Sequence, residues 1–160
     1  MRLILSLLTL VAATTSAQAG GSVQVSFVQP GNFSDVRDSA HRTEATLAAL
    51  QRHFEAIGSQ HLATGQTLKI EVLDVDLAGE VRHGMRANDV RVLRGRADWP
   101  RLQLRYTLES PGAPARRGAA TLADLAYLER SLPLHNNDAL PYERRMLEDW
   151  FKAEFGAAPR

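Results

Sequence analysis

The chain has 160 residues, a formal net charge of +1 and no cysteine. Without cysteine, the fold cannot depend on disulfides, thiolate metal sites or a thiol nucleophile. The length is typical of a single domain, and the near-zero net charge indicates neither a nucleic-acid partner nor attraction to an anionic membrane.

The N-terminal segment has the pattern of a cleavable secretory signal. Arg2 precedes an apolar run from Leu3 to Ala13, which is shorter than the roughly 20 residues that a transmembrane helix needs. Residues 17–19 (AQA) then supply the small-x-small pattern that signal peptidase cleaves. We therefore predict a signal peptide over residues 1–19 and, after cleavage, one domain over residues 20–160 in the periplasm or outside the cell.

A strand is the first element predicted in this domain. Val23, Val25 and Phe27 alternate with Gln24 and Ser26, and a period of two is typical of a strand with one buried face.

An amphipathic helix is predicted next, with Asp38 or Ser39 as its N-cap and Gly58 as its end. Its apolar residues recur at spacings of three and four, which places them on one stripe. The stripe consists of Leu47, Leu50, Phe54 and Ile57.

The segment 68–77 has strand periodicity that changes phase in its middle. The apolar positions are Leu68, Ile70 and Val72, followed by Leu73, Val75 and Leu77. A strand with a bulge, or with a change of burial, is predicted near Leu73.

The middle of the chain predicts further strands. Residues 80–100 are rich in Arg, Gly and Asp, which favours a short strand or a long excursion. Residues 102–108 alternate strictly, and a turn over 110–114 follows them. The pattern of residues 116–128 fits either the partner strand of a hairpin or a helix.

A C-terminal helix is predicted to begin at Pro141, which suits the first helical position. Met146, Leu147, Trp150, Phe151 and Phe155 follow helical spacing, which indicates a helix docked on the core. Glu148 and Lys152 stand at a spacing that permits an ion pair. The predicted fold class is α+β: a single domain with a mainly antiparallel sheet of about four strands and two helices packed on one face.

Three blocks of sequence resemble one known family. They are VSFVQPGNFSDV at residues 25–36, QTLKIEVLDVDLAGE at residues 66–80, and YERRMLEDWF at residues 142–151, with DWPR at residues 98–101 between the last two. In this order they resemble the secreted proteobacterial proteins called domain of unknown function 3016. The resemblance implies a signal peptide, a single domain and an envelope location. It implies no activity and no catalytic residues.

Asp74, Asp76 and Glu80 are candidate ligands of a hard cation, because alternate residues of a strand share a face and carboxylates are the ligands such cations prefer. A calcium loop pattern is absent, however. Pairing of these acids with neighbouring arginines, or capping of backbone amides at the end of the strand, is therefore the favoured interpretation, and they remain weak metal candidates. The same acids, with His83, would serve the alternative function of a metal-dependent hydrolase.

A basic strip with one tryptophan follows the acids. Together with them, His83, Arg91, Arg94, Trp99 and Arg101 form the candidate functional surface. Such a strip can contact an anion or a polysaccharide, although nearby acids favour a salt-bridged surface. No cofactor is predicted, since no histidine stands in a zinc motif. The predicted function is a non-enzymatic binding domain for an envelope protein or polysaccharide, with no nucleic-acid partner and no membrane span after cleavage.

Overall fold

The computed structural model describes residues 20–36, 40–82, 90–95, 97–131 and 138–156, with the backbone alone at residues 40 and 41. The predicted signal peptide, the two predicted N-cap residues of the first helix and His83 lie outside the described residues. Within the described ranges, no helix is long and apolar enough to cross a membrane.

The described residues form six strands and two α-helices. In chain order they are β1 (Ser22–Phe27), α1 (Ala40–His61), β2 (Thr67–Asp76), β3 (Glu80–Arg82), β4 (Val90–Val92), β5 (Arg101–Ser110), β6 (Ala113–Ala123) and α2 (Pro141–Phe155). A short 3-10 turn, Pro30–Asn32, precedes α1.

The main sheet has the strand order β1-β2-β5-β6. The β2–β5 and β5–β6 pairs are antiparallel, and β1 joins β2 in parallel through the crossover helix α1. Strands β3 and β4 form a separate antiparallel pair. The predicted α+β class and the mainly antiparallel sheet of four strands are therefore confirmed.

Alternation along the strands gives the sheet one buried face and one solvated face. Leu68, Ile70 and Val72 of β2 are buried, as are Leu102 and Leu104 of β5. Between them, Lys69, Glu71, Gln103 and Arg105 point to the opposite, open face, where Lys69 and Glu71 pair with Glu109 and Arg105. Both helices contribute to the single core on the buried face, so the predicted packing of two helices on one face is confirmed.

Helix α1 buries the predicted stripe, with Leu50, Phe54 and Ile57 at most 3% exposed. The predicted end at Gly58 is wrong, because the helix continues to His61. A Cβ at Gly58 would stand 2.2 Å from Val23 Cγ2 on β1. This glycine therefore allows the helix to approach the strand and does not end the helix.

Strand β6 answers the question left open for residues 116–128. It runs to Ala123, and a turn occupies residues 125–129, so the helical alternative is wrong. The buried Arg145 of α2 donates to Asp124 Oδ2 at 3.0 Å and to the Tyr127 carbonyl at 2.7 Å. These bonds fasten the turn to the helix.

Helix α2 begins at Pro141 as predicted, and Met146, Leu147, Trp150 and Phe151 are buried in the core. Glu148 accepts a hydrogen bond from Arg144 at 3.0 Å. Glu148 therefore pairs with Arg144, one turn earlier in the helix. The sequence predicted a pair with Lys152, one turn later.

Candidate functional site

Strand β2 places Asp74 and Asp76 on the open face at its C-terminal end. The register with β5 slips at Leu73, so Val72 faces Leu104 whereas Asp74 faces Gln103. The predicted bulge is thus confirmed. The extra residue shifts the alternation by one position. After the bulge, Val75 is therefore in the core and the two carboxylates point away from it.

Asp74 is fully engaged with the loop that follows β1. The Ser34 backbone N–H donates to Asp74 Oδ1 at 2.7 Å, and the Ser34 hydroxyl donates to Oδ2 at 2.8 Å. This carboxylate therefore fixes the loop, as the acid of an Asx or capping motif does.

Arg91 of β4 acts as a clamp behind the site. Its guanidinium donates to Asp35 at 2.6 Å and to the carbonyl of Gly79 at 2.8 Å. Because Asp35 is held in turn by its backbone bond to Val75, Arg91 ties the β3–β4 pair to the main sheet.

A cleft of about 390 Å³ adjoins Asp35, the acid that Arg91 holds. It lies between the end of β2, the loop after β1 and the segment that leads into β5. The residues that line the cleft are Ser34, Asp35, Asp76, Leu77, Gly79, Glu80, Arg94, Ala97, Asp98, Trp99 and Arg101.

Most charged groups of the cleft already have partners. Glu80 pairs with Arg94 at 2.7 Å. Asp98 accepts from the Arg94 backbone N–H and from the Tyr127 hydroxyl, both at 2.7 Å. Arg101 lies over the ring of Trp99, with 5.6 Å between its guanidinium carbon and the ring centroid. The favoured expectation thus describes Glu80, which pairs with arginine, and Asp74, which accepts from the Ser34 backbone N–H. Asp98 has a backbone N–H and a tyrosine hydroxyl as its donors.

Asp76 differs from these acids because its carboxylate has neither a hydrogen bond nor an ion pair with any residue that the structure describes. Partial burial raises the pKa of its carboxyl, and the nearby carboxylates of Asp35 and Asp74 raise it further against the opposite influence of Arg101 and Arg91. This carboxylate lines the cleft, and no hydrogen bond or ion pair with a described residue offsets its negative charge.

Two residues of this region carried no signal in the sequence. Tyr127 is fully buried and braces Asp98 from a turn whose secondary structure was undecided. Glu143 is 2% exposed and accepts from the Ala78 backbone N–H at 2.7 Å. A glutamate in the first turn of a helix is ordinarily a solvated neighbour of the helix dipole, so its burial could not be anticipated.

The weak metal hypothesis receives no support from this geometry. Asp74, Asp76 and Glu80 do not converge, since Asp74 bonds Ser34 and Glu80 pairs with Arg94. Across the described residues, no group of three His, Cys, Asp or Glu side chains is placed to hold a metal ion.

Exposed aliphatic side chains gather beside the cleft. Of the five large apolar side chains that are exposed in the described ranges, four lie on two adjoining segments, at 90–93 and 125–128. They are Val90 (57% exposed), Leu93 (37%), Leu125 (62%) and Leu128 (44%), called the rim below. The two segments meet, because a Cβ at Gly95 would lie 3.5 Å from Leu128 Cδ1 and the Gly95 N–H donates to the Tyr127 hydroxyl.

Comparison with known proteins gives a family match. Residues 21–153 match the family model described as "Protein of unknown function (DUF3016)". No curated protein matches the chain. A solved minor lipoprotein from Acinetobacter baumannii is 12% identical, with 84% of this chain and 88% of that chain covered and a TM-score of 0.23. A similarity of that size supports no conclusion about fold or function.

Proposed function

The chain belongs to the DUF3016 family of proteins of unknown function, and from that starting point we propose that it is an exported, non-enzymatic domain that binds another protein of the cell envelope. The binding surface is the rim together with the adjoining cleft. The proposal gives each part a role: apolar area from the rim, and charge and hydrogen-bonding groups from the cleft.

The observation that carries the proposal is that four of the five large apolar side chains exposed among the described residues lie on two segments that contact each other. Scattered exposed leucines are ordinary, whereas a contiguous apolar patch bordered by charged groups is typical of a protein interface. Here Leu93 directly precedes Arg94 of the cleft, and Leu128 follows the Tyr127 that braces Asp98.

A protein partner is favoured over a polysaccharide by the state of Trp99. Sugars stack on an open aromatic face, but Arg101 already covers one face of this ring. The aliphatic side chains of the rim supply no stacking surface, whereas they suit the apolar side chains of a protein.

Site-specific photo-crosslinking in envelope preparations tests the proposal. A photoreactive residue at Leu125 should give a discrete protein adduct, and one at Gln103, on the open sheet face, should give none. Changing Leu128 to Ser should reduce the Leu125 adduct by about tenfold, since the loss of one central apolar contact costs about 1–2 kcal/mol.

Two results would contradict a protein-binding role. Equal adducts from Leu125 and Gln103 would show contact without specificity. Retention of the purified domain on an envelope polysaccharide, lost on Trp99→Ala but unchanged by Leu128→Ser, would instead establish the glycan alternative.

A further inference from the structure

Among the described residues, one carboxylate that lines the cleft has no hydrogen-bond or ion-pair partner. Glu80 has Arg94, Asp35 has Arg91, and Asp98 has a backbone N–H and a tyrosine hydroxyl. Asp76 has no such partner among the described residues, although it is partly buried and lines the cleft. A partly desolvated carboxylate in this position is stabilised when a hydrogen-bond donor is supplied.

Two cations that act on the carboxyl of Asp76, Arg101 and Arg91, are engaged elsewhere. Arg101 faces Asp76 across the β2–β5 register, yet its guanidinium lies over Trp99. Arg91 donates to Asp35 and to the Gly79 carbonyl. Both lower the pKa of Asp76, but partial burial and the charges of Asp35 and Asp74 oppose them, and the net pKa is raised. The position therefore favours an added positive charge.

We infer that the protein partner presents a lysine or arginine flanked by apolar residues, whose cationic group bonds Asp76 while its neighbours pack on the rim. The inference rests on the proposed function and deepens it, since it states the chemistry of the partner. Charge complementarity selects the basic residue, and the adjoining aliphatic rim selects its neighbours. Asp76 is then a specificity-determining residue of the interface.

NMR titration of the full mature domain with two short peptides tests this inference. The probes are acetyl-Leu-Lys-Leu-amide and its uncharged counterpart acetyl-Leu-Gln-Leu-amide. We expect the lysine peptide to shift the backbone amides of Asp76, Glu80 and Leu93, and to bind about tenfold more tightly than the glutamine peptide, as for a charge-assisted bond.

Substitutions assign the effect to one carboxylate. Asp76→Asn should remove the preference for the lysine peptide, whereas Glu109→Gln, which alters an acid of the open face paired with Lys69, should leave it unchanged. Equal affinities for the two peptides in the unsubstituted domain would overturn the inference. So would a preference that survives Asp76→Asn.

The crosslinking experiment separates this failure from failure of the proposed function. If the Leu125 adduct forms but Asp76→Asn leaves its yield unchanged, the basic contact is wrong and the protein interface stands. If no adduct forms at Leu125, the proposed protein interface itself is wrong.

Discussion

At the scale of single residues, the acids of this protein differ according to what surrounds them. Asp74 fixes a loop, Asp98 is braced by a buried tyrosine, and the Asp76 carboxylate lines the cleft with no bonded partner in the part of the chain that the structure describes. Glu143 is the extreme case, since burial raises the pKa of its carboxyl despite its hydrogen bond from Ala78. These differences follow from desolvation and available donors, because the carboxyl group itself is the same in each.

The buried Glu143 predicts a pH-dependent stability. Its pKa is raised in the folded state, so the fold favours the protonated carboxyl. The resulting stabilisation is full below the ordinary carboxyl pKa of 4.5 and is lost as pH rises through the raised pKa. Glu143→Gln, which stays neutral and keeps the acceptor for Ala78, should therefore gain stability relative to the native chain as pH rises, by on the order of 1 kcal/mol.

Urea unfolding between pH 4 and 8 measures this difference. Glu148→Gln is the matched control on the same helix, because Glu148 is half-exposed and paired with Arg144. A rise of equal size in Glu148→Gln would show that the effect does not come from the burial of Glu143. A flat difference for Glu143→Gln would mean that the buried carboxyl is ionised at no cost.

At the scale of elements, the approach of α1 to the sheet depends on a residue without a side chain. Gly58 lies inside the helix, and its Cα faces Val23 on β1 and the ring of Phe151 on α2. Glycine lowers helix stability by about 1 kcal/mol relative to alanine, so close packing at this crossing must offset a local weakness.

Gly58→Ala tests this balance. Despite the better helix propensity of alanine, the new methyl group would stand 2.2 Å from Val23 Cγ2, and overpacking typically costs about 1–3 kcal/mol. We expect a net loss of stability in thermal or urea unfolding, largely restored when Val23→Ala is added. Gly31→Ala, where no atom lies within 4 Å of the added Cβ, should be nearly neutral. A stabilised Gly58→Ala would show that the helix shifts freely.

At the scale of the whole molecule, the first described residues contact the end of α1 and the loop that follows it. The Gly21 backbone N–H donates to the Leu62 carbonyl, and the Ser22 N–H donates to that of Gln66. A side chain at Gly20 would clash with the Ser59 carbonyl at 2.1 Å. Residues 20–22, which directly follow the predicted cleavage point, are thus packed into the domain.

Export and cleavage can be checked by mass spectrometry of the N-terminus. We expect the exported protein to begin at Gly20. Ala19→Arg should abolish processing, since signal peptidase requires a small residue there, while Gln18→Ser at the tolerant middle position should not. An exported native protein that retains Met1 would refute the predicted signal peptide.

The sequence alone determined β1, β2, β5 and the two helices, because burial imposes a short-range period that each of these elements displays by itself. It offered a bulge as one of two explanations of the phase change near Leu73, and it left residues 116–128 open between strand and helix. It failed at Gly58, where a glycine that resembles a helix end is required by a strand distant in sequence. The cleft was only partly foreseen. Which acid would have a partner depended on Ser34, Arg94 and Tyr127, which come from three separate segments. Charged groups pair according to their distance in space. That distance is set only when β2, the β3–β4 pair and the turn before α2 have packed together.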